Sequence, residues 1–171
     1  ISLTAGSTYD WMLDSPTPYA GSSYGVGNYA VLNPLTKYSA LTISDGNLTT
    51  AFTQDGSYLS KYAKASIAFP TTGKFYFEAT AYGSPAYLNI GITSVTYPTT
   101  NNGDPPQSYG YYESGNIIVN GSVVQGSLAT YTAGDVIAVA YDVDSNSLKF
   151  YKNGSQVGTA ITPSTSYSYI F

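Results

Sequence analysis

Apolar and polar residues alternate over short stretches of this chain, and Gly, Pro, Asn and Asp separate these stretches. Residues 74–81 alternate most clearly, with Phe75 and Phe77 on one face of an extended strand and Tyr76 and Glu78 on the other. No long window carries the apolar period of roughly 3.6 residues that marks an amphipathic helix. The pattern therefore predicts an all-β protein.

The predicted strands follow one another closely, with short turns between them. Asp45-Gly46, Asn120-Gly121 and Asn153-Gly154 each predict a two-residue hairpin turn, and residues 144–147 predict another turn. The expected strands are 28–35, 41–44, 47–52, 63–69, 74–81, 86–93, 109–112, 117–119, 122–125, 135–143, 147–152 and 156–161. Many short strands with turn signals between them predict a two-sheet antiparallel β-sandwich or a barrel.

The first 25 residues differ from the rest in composition. Ser15-Pro16-Thr17-Pro18 and Gly21-Ser22-Ser23 favour turns or an extended arm. We expect residues 1–25 to form an arm that packs on the domain or a connector to another one, and residues 26–171 to form one sandwich. Because the chain starts without Met and stops within the strand-like Tyr169-Ile170-Phe171, we expect it to be a segment of a longer polypeptide or a processed product.

Composition excludes several classes of function. The chain has 171 residues, only 9% of them charged, where about 25% is usual. It contains no Cys and no His, which removes the commonest zinc ligands and rules out Ser–His and Cys–His catalysis within the chain. The six basic residues are all Lys and the net charge is −4, so nucleic acid is not an expected partner. No apolar run is long enough to span a membrane, and we expect no cofactor.

Two carboxylate pairs could carry chemistry. Asp142 and Asp144 lie two apart at a strand end and could act as a catalytic pair or bind calcium, although Asp in a tight turn more often accepts backbone N–H groups. Glu78 and Glu113, the two Glu of the chain, would need to face each other across a cleft to act as a glycosidase. Sequence alone does not place them so, and we expect no enzyme.

The longest predicted loop, residues 94–108, is the best candidate for a binding surface. Tyr rings offer a large apolar face with one hydroxyl, and several Tyr surround this loop. The same rings could instead cover a face of a sheet. The candidate ligand-binding residues are Tyr97, Asn101, Asn102, Asp104, Gln107, Tyr109, Tyr111 and Tyr112. The run Asn101-Asn102-Gly103-Asp104 could also supply oxygens to a cation, but it lacks the acidic spacing of a calcium loop.

The C-terminal part of the chain resembles the SPRY family. Gly134-Asp135-Val136-Ile137-Ala138-Val139-Ala140-Tyr141-Asp142, followed by Leu148-Lys149-Phe150-Tyr151-Lys152-Asn153-Gly154, is similar to that family's "GDVIGVALDLD…LTFYKNG" run. Lys74-Phe75-Tyr76-Phe77-Glu78 resembles its "KWYFEV" strand, with Phe75 where many members have Trp. Shorter likenesses lie at Asn89-Ile90-Gly91-Ile92, Tyr109-Gly110-Tyr111-Tyr112 and Ile118-Val119-Asn120-Gly121. The resemblance implies a concanavalin-like, jelly-roll type sandwich that binds partners through loops at one edge and is not a catalyst.

The front of the chain resembles a narrower group. Asn28-Tyr29-Ala30-Val31-Leu32-Asn33-Pro34-Leu35 and Leu41-Thr42-Ile43-Ser44-Asp45-Gly46-Asn47-Leu48 are similar to the opening of SPRY-like modules in structural proteins of tailed bacteriophages. This resemblance implies a virion protein on a tail fibre, spike or capsid surface. Its task would be adhesion, with a host-surface glycan or protein or another virion protein as its partner, and it could form a homo-oligomer within the particle.

Three alternatives stay open at this point. The chain could be a purely architectural capsid decoration or fibre protein, which a large subunit interface carrying the same Tyr would favour. It could be a cellular SPRY protein–protein interaction module, which a pocket for a short peptide would favour. It could be a glycan-cleaving enzyme, which two carboxylates facing each other in a cleft would favour.

Overall fold

A computed structural model describes residues 30–52, 62–83, 88–96, 107–166 and 168–170. The proposed arm at residues 1–25 lies outside these ranges. Thirteen strands and no helix are found in the described part, which confirms the all-β prediction. Within those ranges there is accordingly no helix that could cross a membrane.

The strands are short and mostly lie where alternation predicts them. They are β1 Leu32–Lys37, β2 Leu41–Ser44, β3 Thr49–Phe52, β4 Ala63–Ala65, β5 Lys74–Thr80, β6 Asn89–Ser94, β7 Ser108–Tyr112, β8 Asn116–Val119, β9 Ser122–Gln125, β10 Val136–Asp142, β11 Ser147–Lys152, β12 Ser155–Ile161 and β13 Tyr169–Ile170. The chain divides into two compact units, with the boundary after Ile67.

The first unit holds two antiparallel strand pairs, β1 with β4 and β2 with β3. Ser44 pairs with Thr49, so four residues connect β2 and β3 and the predicted two-residue turn at Asp45-Gly46 is wrong. Asp45, Gly46 and Asn47 all have positive φ (53°, 64° and 67°), and the Leu48 N–H donates to the Ser44 carbonyl. Asp and Asn tolerate this left-handed conformation better than other side chains, which allows the wider turn.

The second unit contains two antiparallel sheets. One has four strands in the order β12-β11-β10-β5, and the other has five in the order β13-β6-β7-β8-β9. Inward side chains of both sheets form one core, in which the rings of Tyr111 and Phe150 lie 6.2 Å apart and those of Tyr141 and Tyr169 lie 6.3 Å apart. These ring contacts join the two sheets, so the predicted two-sheet antiparallel sandwich is confirmed.

Two of the predicted hairpins are confirmed in detail. Asn120-Gly121 connects β8 to β9, and Asn153-Gly154 connects β11 to β12, each as a two-residue loop. All four residues have positive φ, as a type I′ turn requires. The Asn153 side chain also accepts a hydrogen bond from the Val136 N–H at 2.8 Å, so this turn holds the start of β10.

The core is unusual because much of its aromatic volume comes from Tyr, whose hydroxyls need partners when buried. The Tyr131 hydroxyl lies 2.8 Å from the Leu88 carbonyl oxygen and 2.9 Å from the Tyr111 carbonyl oxygen. The Tyr111 hydroxyl donates to the Ala129 carbonyl. Burial raises the pKa of the Tyr131 hydroxyl, so it remains a donor at neutral pH. These bonds attach the 129–131 segment to the sheet containing β7.

A polar cluster on the second unit fixes the residues that precede β10. Asp135 accepts hydrogen bonds from the Thr132 N–H at 2.8 Å and the Asn153 side chain at 2.7 Å, and it forms an ion pair with Lys152 at 3.0 Å. Lys152 also donates to the Thr130 carbonyl at 2.7 Å. The Thr132 hydrogen bond, followed by those of Asn153 and Lys152, lowers the pKa of Asp135 to about 2.

Tyr131→Phe should lower the free energy of unfolding by about 1 kcal/mol, because it removes a buried hydroxyl that bonds the Leu88 and Tyr111 carbonyls, although the Leu88 carbonyl still accepts the Glu113 N–H. Urea denaturation measures the change. Tyr76→Phe is the matched control, since Tyr76 is 59% exposed. The loss of its hydroxyl should lower the free energy of unfolding by less than about 0.5 kcal/mol. Equal effects of the two substitutions would contradict the role assigned to the buried hydroxyl.

The lowered pKa of Asp135 predicts how stability depends on pH. A carboxyl whose pKa is lower in the folded state contributes stability above its unfolded pKa, near 4, and this contribution is lost as the pH falls toward 2. Wild-type urea midpoints should therefore decrease between about pH 4 and pH 2. Asp135→Asn should be less stable at neutral pH and show a smaller decrease. A variant whose decrease equals that of the wild type would refute this assignment.

Candidate functional site

The predicted loop surface is only partly within the described residues. Tyr97, Asn101, Asn102 and Asp104 lie outside them. Gln107 is half-buried, has a positive φ of 68° and donates its N–H to the Asn120 side chain at 2.5 Å. Tyr112 is half-buried at the end of β7. The binding role of these residues stays a prediction.

The prediction that Tyr109 and Tyr111 belong to the binding surface is wrong. They are 4% and 0% exposed and belong to the core, so their rings cannot form a contact surface in this fold. Both point inward because alternate residues of β7 share a face. Tyr109 also accepts the Ser164 N–H at 2.9 Å, so its hydroxyl holds the segment after β12 rather than a ligand.

The Asp142 and Asp144 carboxylates serve the turn between β10 and β11. Asp142 forms an ion pair with Lys74 at 2.6 Å and accepts the Ser145 N–H, while Asp144 accepts the Gly73 N–H at 2.9 Å. The Lys74 hydrogen bond lowers the pKa of Asp142 to about 2. Turn chemistry accounts for both side chains. Within the described ranges, no cluster of three or more Asp, Glu, His or Cys is arranged to hold a metal ion.

Glu78 lies on one sheet of the second unit, whereas Glu113 lies in the turn after a strand of the other sheet. Glu78 lies on the exposed side of β5 and accepts a hydrogen bond from the Tyr76 hydroxyl at 2.5 Å. Glu113 follows β7, where its N–H donates to the Leu88 carbonyl and its carbonyl accepts from Tyr131. Neither lines the cleft described next.

An open cleft of about 330 Å³ lies at one end of the sandwich. Three segments form it: the residues before β5, the end of β10 with the turn that follows, and the residues leading into β13. Its lining consists of Phe69, Pro70, Thr71, Tyr141, Val143, Asn146, Thr165, Ser166, Ser168 and Tyr169. None of these side chains carries a charge, so the cleft suits a neutral ligand segment better than a strongly charged one.

The aromatic wall of the cleft is fixed by ring contacts. Phe69 meets Tyr141 edge-on with ring centroids 5.6 Å apart, and Tyr141 meets Tyr169 edge-on at 6.3 Å. The Phe69 N–H donates to the Tyr169 carbonyl at 2.9 Å. Edge-to-face pairs of this kind favour one relative orientation of the rings. The wall is therefore formed before any ligand arrives.

The polar side of the cleft is held by Asn146. Its side-chain oxygen accepts the Tyr141 hydroxyl at 3.2 Å, and its side-chain nitrogen donates to the Pro163 carbonyl at 2.7 Å. Burial raises the pKa of the Tyr141 hydroxyl, which stays protonated and keeps donating to Asn146. Asn146 has a positive φ of 49°, a conformation that Asn tolerates, so the turn can aim this amide at both partners.

The cleft offers apolar faces and exposed hydroxyls but lacks the groups that most enzymatic mechanisms need. Thr71, Thr165, Ser166 and Ser168 are exposed at its rim. Its lining contains no carboxylate or amine that could act as an acid or base. The arrangement fits the recognition of a partner by contact and hydrogen bonding.

Sequence reasoning missed this cleft because its residues come from three distant stretches. Residues 63–69 were predicted as one strand, whereas β4 ends at Ala65 and leaves Phe69 free to line the cleft. Pro70, which follows, is the available signal, since Pro disfavours continuation of a strand. Residues 162–168 carried no signal beyond their position after a strand.

Comparison with known proteins is consistent with this architecture. A family model described as "SPRY domain" matches residues 74–170. The chain is 30% identical over 135 residues to a Ran-binding proteins 9/10 homolog of Drosophila melanogaster, covering 75% of this chain and 14% of that protein. It is 29% identical over 137 residues to Ran-binding protein 9 of Xenopus tropicalis, covering 76% of this chain and 25% of that protein. The chain thus spans a quarter or less of these relatives.

Solved structures show the same fold. The SPRY domain of human HERC1 superposes with a TM-score of 0.64 at 18% identity, covering 81% of this chain and 86% of that chain. The TRIM65 PSpry domain gives a TM-score of 0.61 at 17% identity, and the match covers 84% of this chain and 85% of that chain.

The relatives named here are animal proteins, so they give no support to the tailed-phage setting that the front of the chain suggested. The placement on a virion remains an untested prediction. The match to the family model covers more than half of the chain, and the sandwich built from β5 to β13 is the part that it spans. The chain belongs to the SPRY domain family.

Proposed function

We propose that this chain is a non-catalytic protein-interaction module that binds a short, extended, largely uncharged segment of a partner protein in the cleft lined by residues 69–71, 141, 143, 146, 165, 166, 168 and 169. The observation that carries the proposal is the uncharged lining of a cleft whose aromatic wall is already fixed. A preformed site loses little conformational entropy on binding, which favours affinity for a matching segment.

The chemistry of the rim supports an extended segment rather than a small rigid molecule. Hydroxyls of Thr71, Thr165 and Ser166 can donate to or accept from the main chain of a peptide. The half-buried Phe69 ring can take an apolar side chain from it, while the buried Tyr141 ring supports Phe69 from the core. Loops on a rigid sandwich commonly provide such contacts.

The relatives suggest one named partner to test. They are called Ran-binding proteins, so Ran is a candidate ligand for this chain. The matched segment is a small part of each relative, and Ran binding by those proteins need not lie within it. A host-surface glycan, expected from the front of the chain, is the other partner to include.

The proposal predicts a defined effect of filling the cleft. Linear peptides are first selected on the wild-type chain from a random display library. They should bind the Thr165→Arg variant at least about tenfold more weakly, because the long Arg side chain fills part of the cleft and adds a positive charge to it. Titration calorimetry measures both affinities. Purified Ran and a glycan array would be screened in parallel on the same two proteins.

Thr80→Arg is the matched control, since Thr80 is exposed on β5 and does not line the cleft. It should keep wild-type affinity, and all three proteins should share one thermal midpoint within about 2 °C. Selected ligands that bind Thr165→Arg as tightly as wild type would place the binding site elsewhere. A library that yields no peptide, together with glycan binding, would favour the adhesion hypothesis instead.

A further inference from the structure

The outer face of the four-stranded sheet carries an ordered pattern of side chains. Residues that alternate with the core positions of β5, β10 and β11 point away from the core. Strand register places Tyr76 beside Ala140 and Ala140 beside Lys149, which forms one row across the sheet. The next row on this face runs from Glu78 through Ala138 to Tyr151.

The centre of this pattern is low and its corners are tall. The two central residues are Ala, and Ala138 is only 2% exposed despite facing outward because Glu78 and Tyr151 stand on either side of it. Tyr76 is 59% exposed. The Tyr76 hydroxyl donates to Glu78, which fixes two of the corners relative to each other. The outer face is therefore a patch of four corner side chains that cover Ala138.

The corners alternate in chemistry. Tyr76 and Tyr151 occupy one diagonal, and Glu78 and Lys149 occupy the other. Among the described residues, neither Glu78 nor Lys149 takes part in a salt bridge, whereas Lys74 and Lys152 do. The patch is neutral overall and carries one charge of each sign at opposite corners.

Such a pattern is complementary to itself. When the same face of a second molecule is laid on it by a two-fold axis along the Tyr76–Tyr151 diagonal, each Glu78 meets the Lys149 position of the other molecule. Each Tyr then meets its own counterpart across the axis. The strands of the two sheets then cross at a steep angle of roughly 70°, closer to orthogonal than to aligned sheet packing. The four corner side chains, which cover the small Ala138, are the groups that meet.

We propose that this face binds a second copy of the chain through a two-fold contact formed by Tyr76, Glu78, Lys149 and Tyr151. Four aromatic rings would be buried there and two Glu78–Lys149 ion pairs would form at the edges. Edge ion pairs contribute little affinity on their own but penalise mismatched orientations, so they set the geometry of the dimer. This proposal concerns a face that does not include the cleft and does not depend on the proposed function.

A charge-exchange experiment tests the contact. Sedimentation velocity of the full chain over about a hundredfold range of concentration should show a reversible monomer–dimer equilibrium. Glu78→Lys and Lys149→Glu should each raise the dimer dissociation constant by about tenfold, because like charges then face each other. The dissociation constant of the double variant should return to within about threefold of the wild-type value, because the same two positions then form the ion pairs with their charges exchanged.

Val123→Glu is the control for an added charge, since Val123 is exposed on β9 of the other sheet. It should leave the dissociation constant unchanged, and thermal melting should confirm that all variants are folded. Three outcomes would each overturn the proposal: a wild-type chain that stays monomeric over the whole range, a double variant as weak as the single ones, or a Val123→Glu effect as large as theirs.

Discussion

The second unit depends on one requirement: each buried Tyr hydroxyl must find a hydrogen-bond partner. A sandwich core built from Phe would need only shape to match, but Tyr109, Tyr111, Tyr131 and Tyr169 each place an oxygen inside the protein. Their partners are backbone groups of the segments that leave the sheets, at Leu88, Ala129 and Ser164. An unpaired polar group in this interior would cost more than the bond itself contributes. The core therefore dictates where the connecting segments run.

The cleft is a consequence of the same requirement. Tyr169 donates to the Ser164 carbonyl and packs edge-on against Tyr141, so the residues between β12 and β13 are held beside the β10–β11 turn. Asn146 completes this end by joining Tyr141 to Pro163. A binding surface on such supported loops can be open to solvent and still keep its shape. The recognition function that we propose rests on this supported end of the molecule.

The strand pattern could be predicted because alternation is a local property. Residues 74–81 and the Asn-Gly pairs carry enough information within a few positions to define a strand or a type I′ turn. The β2–β3 loop shows the limit. Asp45-Gly46 is a good turn signal, but whether two or four residues make the turn depends on which residues pair across the strands, and Ser44 pairs with Thr49.

The candidate site shows a second limit. Alternation implied that Tyr109 and Tyr111 share a face, yet it could not tell whether that face meets the second sheet or solvent. Only the packed structure decided that they are buried, and their burial removed them from the binding surface. Likewise, the sequence is compatible with Asp142 and Asp144 as metal ligands or as turn residues. Their contacts with Lys74, Ser145 and Gly73 in the structure identify them as turn residues.

By itself, the sequence determined the all-β class, the hairpins at Asn120-Gly121 and Asn153-Gly154, the family, and the exclusion of His- and Cys-based chemistry. These follow from residue types and from spacings of a few positions. The tertiary structure alone decided which Tyr are core, that the cleft exists, and that Tyr76, Glu78, Lys149 and Tyr151 form one patch. Each of these depends on strands and loops that are distant in sequence meeting in space, and no local pattern encodes that pairing.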